Sequence, residues 1–547
     1  MSTLSRRALL EGMLGVGLSA SLLDGCRPDE VASRHAHVEG TLLGQDHQAG
    51  HLLRDDLTAR IAHVATLPPV HTGVVIAGGG PSGLSAGHRL KRAGVDDFVV
   101  LELEREAGGT SLGGASALTA YPWGAHYLPV PHRHNTPLIA LLRAMGVVTG
   151  EDDDGKLVVT EPHLVRLPEE RLYYKGYWYP GLYLEAGASA RDLEERTRFE
   201  QRVAAWVAYR DGAGRRAFTL PLRLASDAPE VRALDTISAS AWLAREGFRS
   251  PRLLWLLDYA CRDDYGLRLA DTSAWALLFY FAARVEHAGE EASDLITWPE
   301  GNQALVRALH TPIAAQVRTR HLVLDVGDHG EGAEVLAWDL ARDQGVRYRA
   351  ERAIVALPRF VAARVVRALR EAPPALPTYA PWLVANLHLS SRPDTRGAPL
   401  AWDNVLHASD SLGYVCATHQ RGSDFGPTVL TYYLPLADAD ARRARARLYE
   451  GDFAALRDAV LLDLAHAHPD LAARTNRLDL FRWGHAMVRP EIDAQFGRGR
   501  EAARQARGRI HFAHSDLSGV SLFEEAFDHG VRAADEVLHA RGRGVPT

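Results

Sequence analysis

The 547-residue chain is 46% apolar and 24% charged, enough to bury a large core and to form more than one structural domain. A formal charge of −6 gives no electrostatic footprint for nucleic acid, and none is expected as a partner. The three cysteines (Cys26, Cys261, Cys416) form no C-x-x-C and exclude a disulfide scaffold, and Lys91, Lys156 and Lys175 are the only lysines.

In chain order, Ser5-Arg6-Arg7-Ala8-Leu9-Leu10 precedes a mildly apolar run to Leu23, a pattern resembling a twin-arginine export signal. The run is too short, and too interrupted by Glu11, to stay in a membrane as a spanning helix. Leu22-Leu23-Asp24-Gly25-Cys26 resembles a lipoprotein cleavage site. Two readings of Cys26 stand at this stage: a lipid-carrying residue that anchors the protein at a membrane surface, or an incidental cysteine. Residues 1–26 are therefore expected to be a signal for export to the periplasm. Residues 27–72, polar and rich in His and Asp, are expected to be a tether with a short helix around Leu52–Val64.

The most informative segment follows. Val74-Val75-Ile76 reads as a buried strand, Gly78-x-Gly80-x-x-Gly83 opens a helical pattern, and Phe98–Leu101 reads as a second strand ending at Glu102. Gly78 permits the tight turn, Gly80 lets backbone approach a pyrophosphate, and Gly83 lets helix and strand pack closely. The helix start, with Pro81 and Ser82, offers free N–H groups to phosphates. Glu102, 19 residues beyond Gly83, can accept ribose hydroxyls. This is a dinucleotide-binding βαβ unit.

A loop from Gly108-Gly109-Thr110 runs to Pro131, and residues 136–298 are mostly helical in pattern, with exposed β-type pieces at Arg171–Leu184. Leu253–Arg284 is aromatic-rich and reads as buried helix. The turn Trp298–Gln303 leads into a helix at Ala304–Leu309, then strands at Leu322–Val326 and Val335–Trp338. Arg352–Leu357 is an apolar strand stopped by Pro358. Strands resume from Trp382 to Leu434, a helix covers roughly 439–468, and Arg509–Asp516 is a buried strand before the helix Phe523–His539. Nucleotide-type elements thus recur at the start, middle and end, separated by two inserts.

These blocks resemble the flavoprotein superfamily of flavin amine oxidases, polyamine oxidases and phytoene desaturase-type enzymes. Glu102 with Gly108-Gly109, the turn at 298–303, Val323, Ile354–Pro358, Phe512-Ala513-His514-Ser515-Asp516 and Gly530-Val531-Arg532-Ala533-Ala534 carry the likeness. It implies an α/β fold: a Rossmann-like, NAD(P)-binding-like (GR2-type) FAD-binding domain with an inserted, discontinuous α+β substrate domain. The expected boundaries are 73–135, 298–375 and 482–547 for the FAD-binding domain, and 136–297 and 376–481 for the substrate domain. FAD rather than NAD is the implied cofactor. The residues expected to contact it are Gly78, Gly80, Pro81, Ser82, Gly83, Glu102, Gly108, Gly109, Thr110, Val323, Asp516 and Phe523.

The chain also departs from that family. No lysine stands where amine oxidases hold a water near flavin N5. No tyrosine occurs in Arg482–Pro490 or at Leu522-Phe523, where the aromatic cage is expected. Candidate groups at the flavin face are His485, with Trp483 beside it, and His126 in Tyr121–Tyr127. Each histidine is equally readable as a hydrogen-bonded structural residue. Arg262-Asp263-Asp264-Tyr265 could line a cavity or form a buried ion pair, and Trp402-Asp403-Asn404 and Thr418-His419-Gln420 concentrate polar groups among strands. The pairs His35/His37, His132/His134 and His466/His468 lack further ligands, so no metal site is expected.

The function expected is an exported FAD-dependent oxidoreductase taking hydride from a small organic substrate, an amine among the candidates. O₂ or a membrane electron carrier would reoxidise the flavin. The rivals are a desaturase or isomerase of an apolar substrate, and a surface protein whose flavin is structural.

Overall fold

The computed structural model describes residues 35–545 except 56, 290–292 and 498. The export signal and Cys26 lie outside the described residues. Among those described, no helix is long and apolar enough to cross a membrane.

The first layer is built on a mixed sheet whose centre is parallel. Its central strand β1 (Val70–Ala77) is followed by helix α1 (Pro81–Arg92) and strand β2 (Phe98–Leu101). A meander follows later in the chain: β3 (His321–Asp328), β4 (Ala333–Asp339) and β5 (Gln344–Val355). Near the C-terminus come β6 (Ile510–Phe512) and helix α2 (Phe523–Ala540). The order across the sheet is Val317–Arg318, β2, β1, β5, β4, β3, with β6 also paired to β5. The last quarter of β5 (Ala353–Val355) pairs in parallel with β6, whereas its first part pairs antiparallel with β4. One strand therefore carries two kinds of sheet. Its end, and the ends of β1 and β6, form the carboxyl edge where nucleotides bind in such folds.

Both faces of this sheet are covered. Val74, Ile76, Leu84, Ile354, Phe527 and Val537 fill the core beneath α1 and α2. Val75, Val323, Leu336, Val355 and Phe512 fill the opposite face. Buried parallel strands read as continuous apolar runs for this reason.

The second layer is an eight-stranded mixed sheet running Leu42–Gly44, Thr475–Val488, Tyr379–Leu389, Thr428–Pro435, Tyr414–Cys416, Asp403–Leu406, Glu170–Tyr174 and Tyr177–Pro180. One face packs on the helices Ala441–Glu450 and Phe453–Ala465. The single helix expected over 439–468 is broken at Gly451, and Asp452 caps the second piece by accepting the Ala455 N–H. The other face is aromatic, with Trp382, Trp402, Tyr433 and Trp483, and looks toward the first layer. A helical cluster flanks it. Its helix Pro251–Tyr265 starts at the Ser250 cap and stops at Gly266 in the left-handed region.

The structure departs from three further expectations. The segment 171–184, expected to be exposed, supplies the other edge of this sheet; Arg171, Leu172, Trp178 and Leu184 are buried, while Lys175, Gly176, Tyr177 and Pro180 are exposed as expected. Arg171 is fully buried, with its guanidinium over the Trp178 ring (3.8 Å) and bonded to Asn404, the Ala398 carbonyl and the Tyr414 hydroxyl. Residues 42–65, expected to be a tether, are folded. Leu42–Gly44 pairs in parallel with Leu480–Arg482, and helices His47–Asp55 and Leu57–Ala65 pack on the first layer through Leu53 and Val64. Edge pairing and burial of these leucines and valines outweigh the polar composition that suggested a loose segment. The boundary expected at 481/482 also falls inside the continuous strand Thr475–Val488.

Candidate active site

The glycine turn is shaped by close approach. Gly78 has φ +104°, and a Cβ there would lie 2.4 Å from the Ala356 carbonyl oxygen. A Cβ on Gly83 would lie 1.8 Å from the Gly78 carbonyl oxygen, so α1 can rest on the turn only with glycine there. Helix α1 has no side-chain cap and begins with Pro81, which leaves its first N–H groups unclaimed. The Ser82 hydroxyl is buried there without a partner. Gly79 donates its N–H to Glu102 (2.7 Å) and accepts the Gly108 N–H (2.9 Å), which brings turn, acid and Gly-Gly loop together. A Cβ on Gly80 would meet only the Gly109 Cα, at 4.0 Å, so space remains between these two backbones.

Glu102 lies deep in the protein, and burial raises its carboxyl above the usual range, yet it keeps exposed surface. It therefore borders a groove. Val323 is two residues past His321, whose N–H bonds to the Glu102 carbonyl (2.7 Å). The free helix N-terminus, the orphan Ser82 hydroxyl, the glycine-lined gap and the acid fit an FAD pyrophosphate and ribose. From Gly109 the chain passes Thr110, whose carbonyl accepts the Ala125 N–H (3.0 Å), which ties the Gly-Gly loop to the segment Tyr121–Tyr127.

Asp516 and Phe523 sit differently. Asp516 accepts the Arg359 N–H (2.7 Å) and the Tyr379 hydroxyl (2.6 Å), with His514 Nδ1 3.0 Å away. Burial would raise its carboxyl, but His514 and these bonds hold it below the usual range. Both hydrogen bonds use Oδ2, which ties the turn after β5 to Tyr379, while Oδ1 is buried without a hydrogen-bond partner. Phe523 is buried at the start of α2 and stacks on Phe527.

The segment 122–127 is clamped by the second layer. Asn386 donates to the Pro122 carbonyl (3.1 Å), Trp483 Nε1 to Trp123 (2.6 Å) and the Tyr433 hydroxyl to Gly124 (3.0 Å). From the other side Thr297 holds the His126 carbonyl (2.8 Å) and Asn302 the Tyr127 carbonyl (3.0 Å). The recurrent turn at 298–303 and Trp483 are thus positioning groups. Trp483 is 2% exposed, with its indole N–H committed to Trp123.

The two candidate histidines part company. His126 stacks on Tyr433 (4.9 Å, 25°) and lies 5.3 Å from Trp402. Burial lowers its pKa to about 4, so the ring is neutral at neutral pH. His485 is not in this group. Phe481 and Trp483 lie in the aromatic cluster, and regular alternation would put His485 on the same face; the register shifts between the pairs Trp382/Trp483 and Ala380/Met487, and at this irregularity the His485 ring stacks instead on Phe360 (4.2 Å). Burial foremost, then Arg445 and His51, lowers its pKa to about 3.

Beside His126 the structure assembles groups from distant stretches of chain. The Tyr259 hydroxyl approaches Asp403 (3.4 Å) and the Tyr280 hydroxyl approaches Asp263 (3.3 Å). Asp403 feels the charges of Glu170 and Asp263. Burial, then the neighbouring carboxylates, pushes Asp263 and Glu170 up to about 7 and Asp403 well above its usual range. Asp264 is paired instead, with Arg284 at 3.0 Å. Asp263, Asp403, Glu170, Tyr127 and Tyr280 are deep in the fold yet keep solvent-accessible surface, so they border an internal cavity. Tyr433 and Glu170 were missed in the sequence, having no local signal; of the two readings of Arg262–Tyr265, Asp263 follows the cavity reading and Asp264 the ion pair, while Asp403 stood out only as a polar residue among strands. Asn404 and His419 are structural, bonded to Arg171 and to the Arg166 carbonyl (2.8 Å).

The chain matches the model for flavin containing amine oxidoreductases over residues 81–538. It belongs to that family. Among solved structures it resembles wild-type putrescine oxidase bound to putrescine (TM-score 0.63, 18% identity, 86% of this chain and 100% of that one). It also resembles cyclohexylamine oxidase from Brevibacterium oxydans IH-35A (TM-score 0.61, 15% identity, 86% and 100%). A third similar structure is a CLA-producing fatty acid isomerase from P. acnes (TM-score 0.58, 15% identity, 86% and 98%). No curated protein sequence matches. The protein is an FAD-dependent oxidoreductase with the family's two-layer α/β fold.

Proposed function

We propose that this flavoenzyme oxidises a small primary or secondary amine that enters the cavity as an ammonium ion. The observation that carries this is the set of Glu170, Asp263 and Asp403 beside His126, Tyr259 and Tyr433, where mutual repulsion of unpaired carboxylates is relieved by a cation. FAD, when bound, supplies the hydride acceptor and passes the electrons to O₂ or a membrane carrier. The residues then have distinct tasks. An ammonium must lose a proton before its α-carbon can give up hydride, and carboxyls held near 7 can take that proton at working pH. The substrate loses one hydride and one proton and becomes an iminium ion. Tyr433 and Trp402 wall the cavity, while the clamped 122–127 segment fixes where the carbon stops.

The test is anaerobic flavin bleaching by a panel of amines, their neutral alcohol isosteres and unsaturated fatty acids. Bleaching by amines alone supports the proposal; bleaching by alcohols, or turnover of a fatty acid without net reduction, overturns it.

Supported by Arg6-Arg7 and by Leu22–Cys26, the proposal extends to twin-arginine export and lipidation at Cys26. Cell fractionation of the native chain, the Arg6→Lys/Arg7→Lys pair and Cys26→Ser tests both. Export of the arginine variant, or unchanged membrane association of Cys26→Ser, overturns the respective part.

A further inference from the structure

The dinucleotide groove has a neighbour that the glycine motif does not explain: the N-terminal segment 38–55, which crosses from one layer to the other beside Glu102. On the second layer, Thr41 donates both its N–H (3.0 Å) and its hydroxyl (2.6 Å) to Asp479, and Leu42–Gly44 adds an edge strand against Leu480–Arg482. Gly40 lies so close to that strand that a Cβ would sit 1.7 Å from the Leu478 carbonyl oxygen. Only Gln45 separates this strand from Asp46, which is fastened to the first layer.

Asp46 donates its N–H to the Glu104 carboxylate (3.0 and 3.2 Å), and its own carboxylate takes Arg320 (2.7 Å). It also caps helix His47–Asp55 by accepting the Ala49 N–H (2.9 Å), and that helix lays Gly50 against Leu103. Glu104 in turn donates its N–H to Glu102 (2.8 Å), whose other oxygen holds Gly79 (2.7 Å). The five-residue step of chain from Thr41 to Asp46, and from Asp46 the hydrogen bonds through Glu104 to Glu102 and Gly79, therefore connect the second layer to the acid and glycine turn of the groove.

We propose that residues 41–55 form a clasp that holds the Glu102–Glu104 loop closed on the adenosine end of bound FAD, so that cofactor release requires the clasp to open. The proposal rests on the assignment of Glu102 to the ribose. Its physical basis is linkage: a segment that orders the ribose acid favours the nucleotide, and the nucleotide must order the segment to the same degree. Both anchors matter because the crossing is short. Loosening either end lets the loop move.

The test uses the holoprotein. Free-flavin fluorescence after dilution gives the release rate for wild type, Asp46→Ala and Thr41→Val, the last being a change on the far anchor with no contact to the groove. Loss of the charged Arg320 partner and helix cap is expected to speed release about 10-fold, and loss of the Thr41 hydroxyl bond about 5-fold. Hydrogen exchange of 42–55 is expected to slow when FAD is added to the wild-type apoprotein. Release at the wild-type rate in both variants, or exchange in 42–55 indifferent to FAD, overturns the clasp while leaving the cofactor site standing. If Asp46→Ala does not fold, Thr41→Val decides alone. A wild-type protein that takes up no FAD overturns the Glu102 assignment and the clasp with it.

Discussion

The groove and the cavity are built on opposite principles. The acid side of the groove is satisfied: Glu102 accepts two backbone N–H groups, Gly79 and Gly108 bond each other, and the glycines fit because nothing larger does, while the Ser82 hydroxyl and the first N–H groups of α1 are left open for a phosphate. The cavity is frustrated. Glu170, Asp263 and Asp403 crowd a desolvated space, where tyrosine hydroxyls approach two of them and the relief that Asp263 has from Arg284 and Asp403 from the Asn404 backbone does not offset burial. Fold stability favours the first arrangement and opposes the second, so the cavity is what the protein maintains for its substrate.

The largest effect should come from breaking the groove. Gly83→Val places a side chain against the Gly78 carbonyl and should cost more than about 3 kcal/mol at α1, leaving protein without flavin absorbance. A normal flavin content would refute that steric account. Next is Asp403→Asn, which should raise KM for an amine by roughly 30-fold through loss of a charged partner. The same change should leave flavin content intact and raise stability by about 1 kcal/mol, because one repelling charge is gone. Thermal melts and steady-state kinetics on one preparation check both; a destabilised variant would mean that Asp403 is structural.

The pH dependence sharpens the contrast. Folding raises the carboxyls of Asp263 and Glu170 to about 7, so between their unfolded range and pH 7 the folded state binds more protons than the unfolded chain. Their contribution to stability is therefore greatest at the acid side of that window and declines as pH rises through 7. Amine binding should run the opposite way, weakening as these groups protonate below about 7. Melting curves and amine titrations from pH 5 to 8 that move in the same direction would contradict this. The smallest effect is expected at His485→Ala, which removes a stack on Phe360 worth about 1 kcal/mol but should leave flavin reduction within about 3-fold of wild type. A larger loss of rate would return His485 to the chemistry.

The same contrast governs what could be read in the chain. Gly78, Gly80, Gly83 and Glu102 were legible because their tasks are local: a turn, a helix start and the tip of the next strand. Tyr433, Glu170 and the pairing of Leu42–Gly44 were not, because each acquires meaning from partners far along the sequence. His485 shows the limit from the other side. It shares a strand and a parity with Phe481 and Trp483, but the register shift in the pairing of Thr475–Val488 with Tyr379–Leu389 turns its ring to Phe360, and that irregularity has no local signal in the sequence. Asp516 was legible as a buried acid at the carboxyl edge, whereas its commitment to Arg359 and Tyr379 required both partners in place.

The double pairing of β5 carries a consequence for how the molecule is made. Its terminal residues await Ile510–Phe512, and α1 awaits α2, where Gly530 fits against Ser82 so closely that a Cβ would lie 2.2 Å from that carbonyl oxygen. On the ribosome, the meander can zip up early, but the nucleotide edge stays half-made until nearly the whole polypeptide has emerged. Flavin capture is then a late, post-translational event, and a nascent chain stalled before residue 510 should be found structured yet colourless.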